Sequence, residues 1–279
     1  MASSSTETGA PTDDRFAFGE NWRAFLGVLD EERIQEAERS LCDFLGTDSL
    51  AGKRFLDVGS GSGLFSLAAY RLGAEAVHSL DYDPSSVGCT QELRRRYGDA
   101  DRWTIERGDA LDAEYMGSLG TWDVVYSWGV LHHTGALWKA LANVAPLVAP
   151  GGQLYIAIYN DQGFRSDQWT RIKRGYNALP TALRKPYTAA VMAPIELAKV
   201  AVYAARGDVR TYVDSWRTYK RSRGMSRWHD MIDWVGGYPF EVAGPDAIFH
   251  FYTERGFRLE RLWTTSSSGC NQFVFRRDG

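Results

Sequence analysis

The sequence predicts an α/β protein: a doubly wound, seven-stranded sheet that ends in an antiparallel hairpin and carries a helical insertion. Short apolar runs alternate with helical segments between residues 51 and 160, which is typical of a parallel sheet with helices on both faces. Near the C-terminus two apolar runs are joined by a Ser-rich turn, which predicts a hairpin. Residues 161–240 contain no convincing strand and are predicted to form the insertion.

The same alternation assigns each element in order. Predicted strands cover residues 54–58, 76–80, 103–106, 123–127, 153–159, 257–263 and 271–275. Predicted helices cover residues 15–46, 64–72, 84–97, 136–148 and 247–255. The first helix depends on apolar residues at three- and four-residue spacing from Ile34 to Leu45, and Gly46 is its predicted stop. A Pro-Gly-Gly turn at 150–152 is predicted to precede the fifth strand.

The domain boundaries follow from these elements and from composition. Residues 1–14 hold Ser, Thr, Gly, Pro and Asp with little to bury, which predicts a disordered tail. Residues 15–50 form an N-terminal helical segment, and residues 51–160 form the core of the sheet. Residues 161–240 are the helical insertion, interpreted as a lid, and residues 241–279 add the last helix and the hairpin.

Composition and charge narrow the class of protein. Apolar residues make up 44% and charged residues 24% of the chain, as in globular proteins. The net charge of -3 argues against a nucleic acid as partner. Three scattered cysteines show no metal or disulfide spacing, and no metal site is expected. The N-terminus lacks the apolar run of a signal peptide, so we expect a reduced, cytoplasmic protein.

The insertion has a charge of its own. Residues 165–227 hold 14 Lys/Arg and 4 Asp/Glu, a net charge of +10, which leaves -13 for the rest of the chain. Residues 187–205 are apolar, but Glu196 and Lys199 within them argue against a membrane span. Two interpretations stay open: a core helix with a solvated basic face, or a basic lid for an acidic substrate or an anionic lipid surface. Helix breaks are predicted at Gly175, Pro180, Pro186, Pro194 and Gly207.

A glycine loop follows the first predicted strand. The stretch from Asp57 to Gly63 reads DVGSGSG, and a predicted helix comes directly after it. Glycines allow backbone to approach a ligand closely, and the free amides at the start of a helix favour a negative group. The glycine spacing departs from the G-x-G-x-x-G pattern of dinucleotide sites. Asp57 suits an ammonium group, and Asp81, which ends the second strand, suits the two hydroxyls of a ribose.

This pattern resembles the class I S-adenosylmethionine (SAM)-dependent methyltransferases, with a Rossmann-like core, over about residues 54–159. The stretches at residues 16–22, 130–135, 159–163 and 233–240 are similar to motifs of a bacterial small-molecule branch of these methyltransferases. The resemblance implies that Gly59 and Gly61 approach the methionine moiety, that Asp81 holds the ribose, and that Asp109 and Ala110 flank the adenine. The full set of expected cofactor-binding residues is Asp57, Gly59, Ser60, Gly61, Gly63, Asp81, Tyr82, Asp109, Ala110 and Ser127.

The acceptor chemistry is predicted from residues at the same edge of the sheet. His132 and His133 follow the fourth strand, and one of them is expected to act as the base for a hydroxyl acceptor, with Asp161 orienting it or binding substrate. We therefore expect O-methylation of an acidic or amphipathic small molecule. The expected substrate-binding residues are Trp128, Tyr159, Asn160, Trp234 and Tyr238, and Trp138 and Trp169 are further candidates for the pocket wall. His78, His229 and His250 are expected to be structural or surface residues.

Three alternatives remain at this point. The first is C- or N-methylation on the same fold, which a flat pH–rate profile between about pH 6 and 8 would favour. The second is a nicotinamide-dependent oxidoreductase, against which the glycine spacing and Asp57 speak. The third is a non-catalytic SAM-binding module that docks on a membrane through its basic insertion.

Overall fold

The computed structural model of the protein describes residues 26, 27, 29–223 and 227–279, and for residues 218–223 and 229 it describes the backbone only. The predicted tail at 1–14 and the first part of the predicted helix at 15–46 lie outside these residues, as does the side chain of His229. The described chain forms one mixed sheet with helices on both faces and a helical insertion.

The seven strands are β1 (Arg54–Val58), β2 (Ala76–Asp81), β3 (Trp103–Arg107), β4 (Trp122–Trp128), β5 (Val148–Tyr159), β6 (Phe257–Trp263) and β7 (Cys270–Arg277). Their order across the sheet is β3-β2-β1-β4-β5-β7-β6. The first five strands are parallel, and β7 runs antiparallel to both β5 and β6. The predicted fold class, including the closing hairpin, is therefore confirmed.

The described helices are α1 (Glu31–Leu45), α2 (Leu64–Arg71), α3 (Pro84–Tyr97), α4 (Ala113–Ser118), α5 (Leu137–Val144), α6 (Phe164–Ala178), α7 (Thr181–Ala205), α8 (Val209–Arg223), α9 (Arg227–Gly236) and α10 (Pro245–Thr253). Two hydrophobic clusters cover the two faces of the sheet. One joins β-strand residues to α5 and α10, and the other joins them to α1, α2 and α3. The insertion, α6 to α9, has a third and smaller cluster around Tyr176, Met192 and Val235.

Three predicted elements differ from the structure for local reasons, and one helix was not predicted. Helix α1 begins at Glu31, because the carboxylate of Asp30 accepts the amide of Arg33 and caps the helix there. Helix α5 ends at Val144, and a 3-10 turn containing Pro146 follows. Strand β5 already begins at Val148, and the Pro-Gly-Gly turn lies inside it as an irregularity in its pairing with β4. The short helix α4, capped by Asp112, was not predicted.

The structure of the insertion also corrects some of the predicted helix breaks. Pro186 and Pro194 lie inside α7, which runs through both, and Gly175 lies inside α6, whereas Pro180 and Gly207 do mark helix ends. Helix α7 is long and apolar enough to cross a membrane, judged by length and composition alone. Only 11% of its most apolar window is buried. The interpretation of this segment as a core helix is therefore wrong.

Candidate active site at the carboxyl edge of the sheet

The glycine loop occupies the edge of the sheet between β1 and α2. Gly59, Gly61 and Gly63 have φ angles of 85°, 54° and 81°, which favour glycine. A Cβ at Gly59 would lie 2.4 Å from the Val130 side chain, and a Cβ at Gly63 would lie 2.9 Å from Thr90. At these two positions the packing as well as the dihedral requires glycine.

Hydrogen bonds fix the loop against its neighbours. The amides of Gly59 and Ser60 both donate to the carbonyl of Leu80, at 2.8 and 3.0 Å. The buried hydroxyl of Ser60 lies 3.0 Å from the Thr90 hydroxyl on α3. The loop is therefore held rigidly at the carboxyl ends of β1 and β2.

Asp81 closes the loop from the end of β2. Its Oδ2 accepts the amide of Gly61 at 2.9 Å, and its Oδ1 accepts the amide of Asp83 at 2.9 Å. Burial raises the pKa of Asp81 to about 6, although both backbone amides oppose the shift. Each carboxylate oxygen has a second lone-pair direction, so the group can still accept a pair of neighbouring hydroxyls.

Asp57 lies deeper, at the end of a chain of buried hydroxyls. Its Oδ2 accepts Ser66 Oγ at 2.5 Å, Ser66 accepts Ser79 Oγ at 2.7 Å, and Ser79 accepts the indole of Trp103 at 2.8 Å. Burial raises the pKa of Asp57 to about 7. One oxygen of this predicted ammonium ligand is thus engaged inside the domain.

The residues expected around adenine and ribose follow neighbouring strands. Tyr82 follows β2, and the Arg107 guanidinium lies 5.2 Å from its ring and donates to its carbonyl at 3.0 Å. Asp109 follows β3 and accepts the amide of Leu111 at 2.9 Å, and Ala110 beside it is buried. The hydroxyl of buried Ser127, on β4, donates to the Val58 carbonyl at 2.8 Å.

The two adjacent histidines form a 3-10 turn after β4. His133 Nδ1 lies 2.6 Å from the Pro239 carbonyl, which can only accept, so the proton sits on Nδ1 and the lone pair on Nε2. His132 is fully buried, with Nδ1 3.3 Å from the Tyr159 amide, and its Nε2 has no hydrogen-bond partner within the described residues. Burial lowers the pKa of His133 to about 4 and that of His132 well below its usual range. Both rings are therefore neutral near pH 7.

Aromatic rings surround this pair. The Tyr159 ring lies 4.0 Å from His132, 5.0 Å from Phe240 and 5.8 Å from Trp234, between ring centroids. Trp169 of α6 packs edge-on against Trp234 of α9 at 5.2 Å. The insertion thus meets the ends of β4 and β5 through an aromatic wall.

Sequence reasoning missed Lys173, which lies against that wall. The side chain is fully buried, its Nζ donates to the Trp234 carbonyl, and Nζ lies 4.6 Å from the Trp234 ring and 4.8 Å from the Phe240 ring. Burial lowers the pKa of Lys173 to about 7. The sequence does carry a signal for its burial, because Lys173 lies on the apolar face of α6, four residues after Trp169 and three before Tyr176.

Two residues predicted for the site, Asp161 and Asn160, make other hydrogen bonds. The exposed carboxylate of Asp161 accepts the amide of Gly163 at 2.7 Å. The carbonyl of Pro239, rather than Asp161, orients His133. Both ends of the Asn160 amide hold the β6–β7 connection: Nδ2 donates to the Thr265 carbonyl at 2.8 Å, and Oδ1 accepts Asn271 Nδ2 at 3.0 Å.

The other aromatic candidates lie in different surroundings. Trp128 is 45% exposed, and its indole donates to Gln272 at 3.0 Å. Trp138 packs against Phe251 of α10, in the outer helical layer, which makes its assignment to the pocket wall wrong. The ring of Tyr238 lies 5.8 Å from the Arg174 guanidinium. Of the remaining histidines, His78 bonds Glu106 at 3.0 Å and His250 is exposed on α10.

The described residues fit a nucleoside cofactor. Side-chain-free backbone at the glycine loop and the hydroxyl-accepting carboxylate of Asp81 meet at one edge, as SAM requires. No group of three or more His, Cys, Asp or Glu among the described residues could hold a metal ion. This fold and this site are typical of class I SAM-dependent methyltransferases.

A family model described as a methyltransferase domain matches residues 56–154, about a third of the chain. The matched residues therefore form a methyltransferase domain, and the cofactor of such domains is SAM. The match covers β1 through most of β5, which are the elements that carry the glycine loop, Asp81 and the histidine pair.

The chain is also similar to curated proteins. It is 27% identical over 157 residues to a ribosomal protein L11 methyltransferase of Photobacterium profundum, covering 50% of each chain. It is 32% identical over 118 residues to a ubiquinone biosynthesis O-methyltransferase of Burkholderia cenocepacia, covering 40% of this chain and 46% of the relative. The chain thus spans no more than half the length of these relatives.

Among solved structures, magnesium protoporphyrin IX methyltransferase from Synechocystis with bound SAM shares the fold. The TM-score is 0.56 at 15% sequence identity, and the match covers 97% of this chain and 100% of that one. At this identity the likeness shows the fold alone.

Proposed function

We propose that the protein transfers the methyl group of SAM to a hydroxyl oxygen of a small molecule, with His133 as the base. The observation that carries the proposal is the bond from His133 Nδ1 to the Pro239 carbonyl, which leaves Nε2 as the acceptor nitrogen of a neutral ring. The ring lies within the aromatic wall, at the carboxyl edge of the sheet where the glycine loop also ends.

The cofactor supplies an electrophilic methyl group when it is bound. Gly59, Gly61 and Gly63 would let its methionine part approach the backbone, and Asp81 would accept the ribose hydroxyls. Displacement at a sulfonium requires the acceptor oxygen to lie in line with the bond that breaks, so positioning supplies much of the acceleration. An aromatic, dry enclosure also suits a reaction in which positive charge on sulfur is lost.

His133 would take the proton of the acceptor hydroxyl at Nε2 as the new carbon–oxygen bond forms. A pKa of about 4 keeps the ring unprotonated across the physiological range, so the lone pair is present, but it also makes Nε2 a weak base that takes the proton only as the carbon–oxygen bond forms. The unpartnered Nε2 of buried His132 is a second polar atom at this place that a bound acceptor could satisfy. Lys173, with its pKa lowered to about 7, would gain charge beside an acidic acceptor.

Oxygen is preferred to carbon and nitrogen because this geometry provides a base, which a hydroxyl needs. The resemblance to a relative named as an O-methyltransferase supports the same choice. Because the lowered pKa of His133 keeps this base from titrating between pH 6 and 8, a flat pH–rate profile there does not distinguish N- or C-methylation from O-methylation. The methylated atom therefore has to be identified in the reaction product.

The test compares methyl transfer from labelled SAM to catechols, to matched aromatic amines and to active-methylene compounds. His133→Asn keeps a donor for the Pro239 carbonyl but removes the base, so we expect turnover on hydroxyl acceptors to fall about 100-fold or more. Affinity for S-adenosylhomocysteine should stay within about twofold of wild type, since binding does not use the base. His250→Ala, at an exposed position on α10, is the matched control.

Two results would contradict the proposal. One is a His133→Asn variant with full turnover on the best acceptor, which would exclude a base role. The other is label found only on amines or on carbon, which would replace O-methylation by the N- or C-methyl alternative.

A further inference from the structure

The hairpin of α7 and α8 presents an apolar surface on the outside of the insertion. Sixteen residues of α7 are exposed, and thirteen of them are apolar. These thirteen are Ala182, Leu183, Pro186, Ala189, Ala190, Ala193, Pro194, Leu197, Ala198, Ala201, Val202, Ala204 and Ala205. Leu197 is 68% exposed and Leu183 51%, so large side chains as well as small ones face outward.

Helix α8 also exposes apolar side chains. Val209, Val213 and Trp216 follow a spacing of four and three residues, which places them on one face of the helix. They are 44%, 39% and 38% exposed. Tryptophan is the side chain enriched at membrane–water boundaries, because its ring is apolar and its indole N–H is polar.

The polarity of α7 is reversed relative to an ordinary surface helix, in which the charges face water. The carboxylate of Glu196 points inward and meets Arg227 at 2.7 Å, with the two side chains only 13% and 10% exposed. Arg184 also points inward and donates to the Leu179 carbonyl at 3.1 Å. The insertion satisfies these charges itself, and the apolar face is left outward.

We propose that this hairpin docks on an anionic membrane surface, with α7 lying in the plane of the interface. The charge of the segment is the argument for this partner: residues 165–227 carry a net charge of +10 in a chain of net charge -3. Exposed Lys185 and Arg206 stand near the two ends of α7. An apolar face combined with cations is what in-plane membrane helices use, and the same positively charged segment of a second copy would be repelled.

An in-plane position follows from the inward contacts. The apolar stripe from Leu183 to Ala205 is about 34 Å long, which would reach across a bilayer. Crossing would carry the Glu196–Arg227 pair into hydrocarbon and would detach Met192 from the cluster of the insertion. Lying flat buries the exposed face and leaves both features intact.

The test is sedimentation of the full chain with vesicles of phosphatidylcholine alone or mixed with phosphatidylglycerol. We expect binding to the mixed vesicles only, weakened by salt. Leu197→Glu should lower the partition constant by about tenfold or more, and Arg206→Gln should lower it about fivefold. Leu262→Glu on β6 and Arg39→Gln on α1 change exposed residues of the same types elsewhere and should bind as wild type does.

Sedimentation velocity of the same proteins tests the alternative partner, a second copy of this chain. No binding to mixed vesicles, or undiminished binding by Leu197→Glu, overturns the proposal. A wild-type dimer that Leu197→Glu dissociates, without vesicle binding, would show instead that a second copy covers α7. The vesicle assay needs neither cofactor nor turnover, so its outcome is independent of the proposed methyl transfer.

Discussion

Asp57→Asn tests whether the carboxyl group at the end of β1 is held at a cost in stability. The carboxyl is 1% exposed, and its surroundings are hydroxyls and backbone with no cation bonded to it in the described structure. Asparagine has the same shape, and its amide oxygen can accept the Ser66 hydroxyl as Oδ2 does. The substitution therefore removes the charge and keeps the hydrogen bond.

The size of the effect follows from the pKa. Burial raises the pKa of Asp57 from 3.8 to about 7, a shift of about three units at about 1.4 kcal/mol each, or about 4 kcal/mol. The folded protein binds this proton more tightly than the unfolded chain does. The stabilisation is therefore complete below about pH 4 and is lost as the pH rises to about 7. Asparagine has no such dependence.

Urea unfolding of the cofactor-free protein, followed by far-UV circular dichroism from pH 4 to pH 8, measures the effect. Subtracting wild type from Asp57→Asn cancels the titrating groups that do not interact with Asp57, so the difference in unfolding free energy should rise by about 4 kcal/mol across this range. Asp48→Asn makes the same atomic change at an exposed position and should show no such rise. A constant Asp57→Asn difference, within about 1 kcal/mol, would refute the reasoning.

Two further outcomes follow from packing. Gly63→Ala should lower the free energy of unfolding in urea by about 2 kcal/mol or more, because φ is 81° and the new Cβ meets Thr90 at 2.9 Å. Gly88→Ala has open space around its Cβ inside α3 and should be neutral or stabilising. Equal losses in the two variants would contradict this account. Glu196→Gln should weaken the insertion by about 2 kcal/mol through its bond to Arg227, and limited proteolysis within the insertion should accelerate roughly 30-fold.

The fold was predictable where local signals agree with tertiary packing. Helix α3 was placed to the residue, because Asp83 caps it, Pro84 begins it and Gly98 ends it. Helix α7 was not, since its two prolines suggested breaks. Both prolines are exposed, so their rings meet no neighbouring helix, and their cost is confined to the preceding turn of α7, where each lacks a hydrogen-bond donor and crowds a carbonyl.

The candidate site was predictable only as a set of residue types at strand ends. The sequence places Asp81 and the histidine pair after β2 and β4, and parallel strands bring such ends to one edge. It does not show that a carbonyl 106 residues away selects the tautomer of His133. Nor does it show that Lys173 is buried, because α9 and Phe240 cover it only in the folded chain.

The row of hydroxyls behind the glycine loop also has a fixed polarity. An indole can only donate, so Trp103 sets the direction in which Ser79 and then Ser66 must point their protons, and Asp57 Oδ2 must accept. While Ser66 donates to Oδ2, a proton taken up by Asp57 sits on Oδ1. A cationic ligand that reaches this carboxyl therefore competes with the proton at a single, predetermined oxygen.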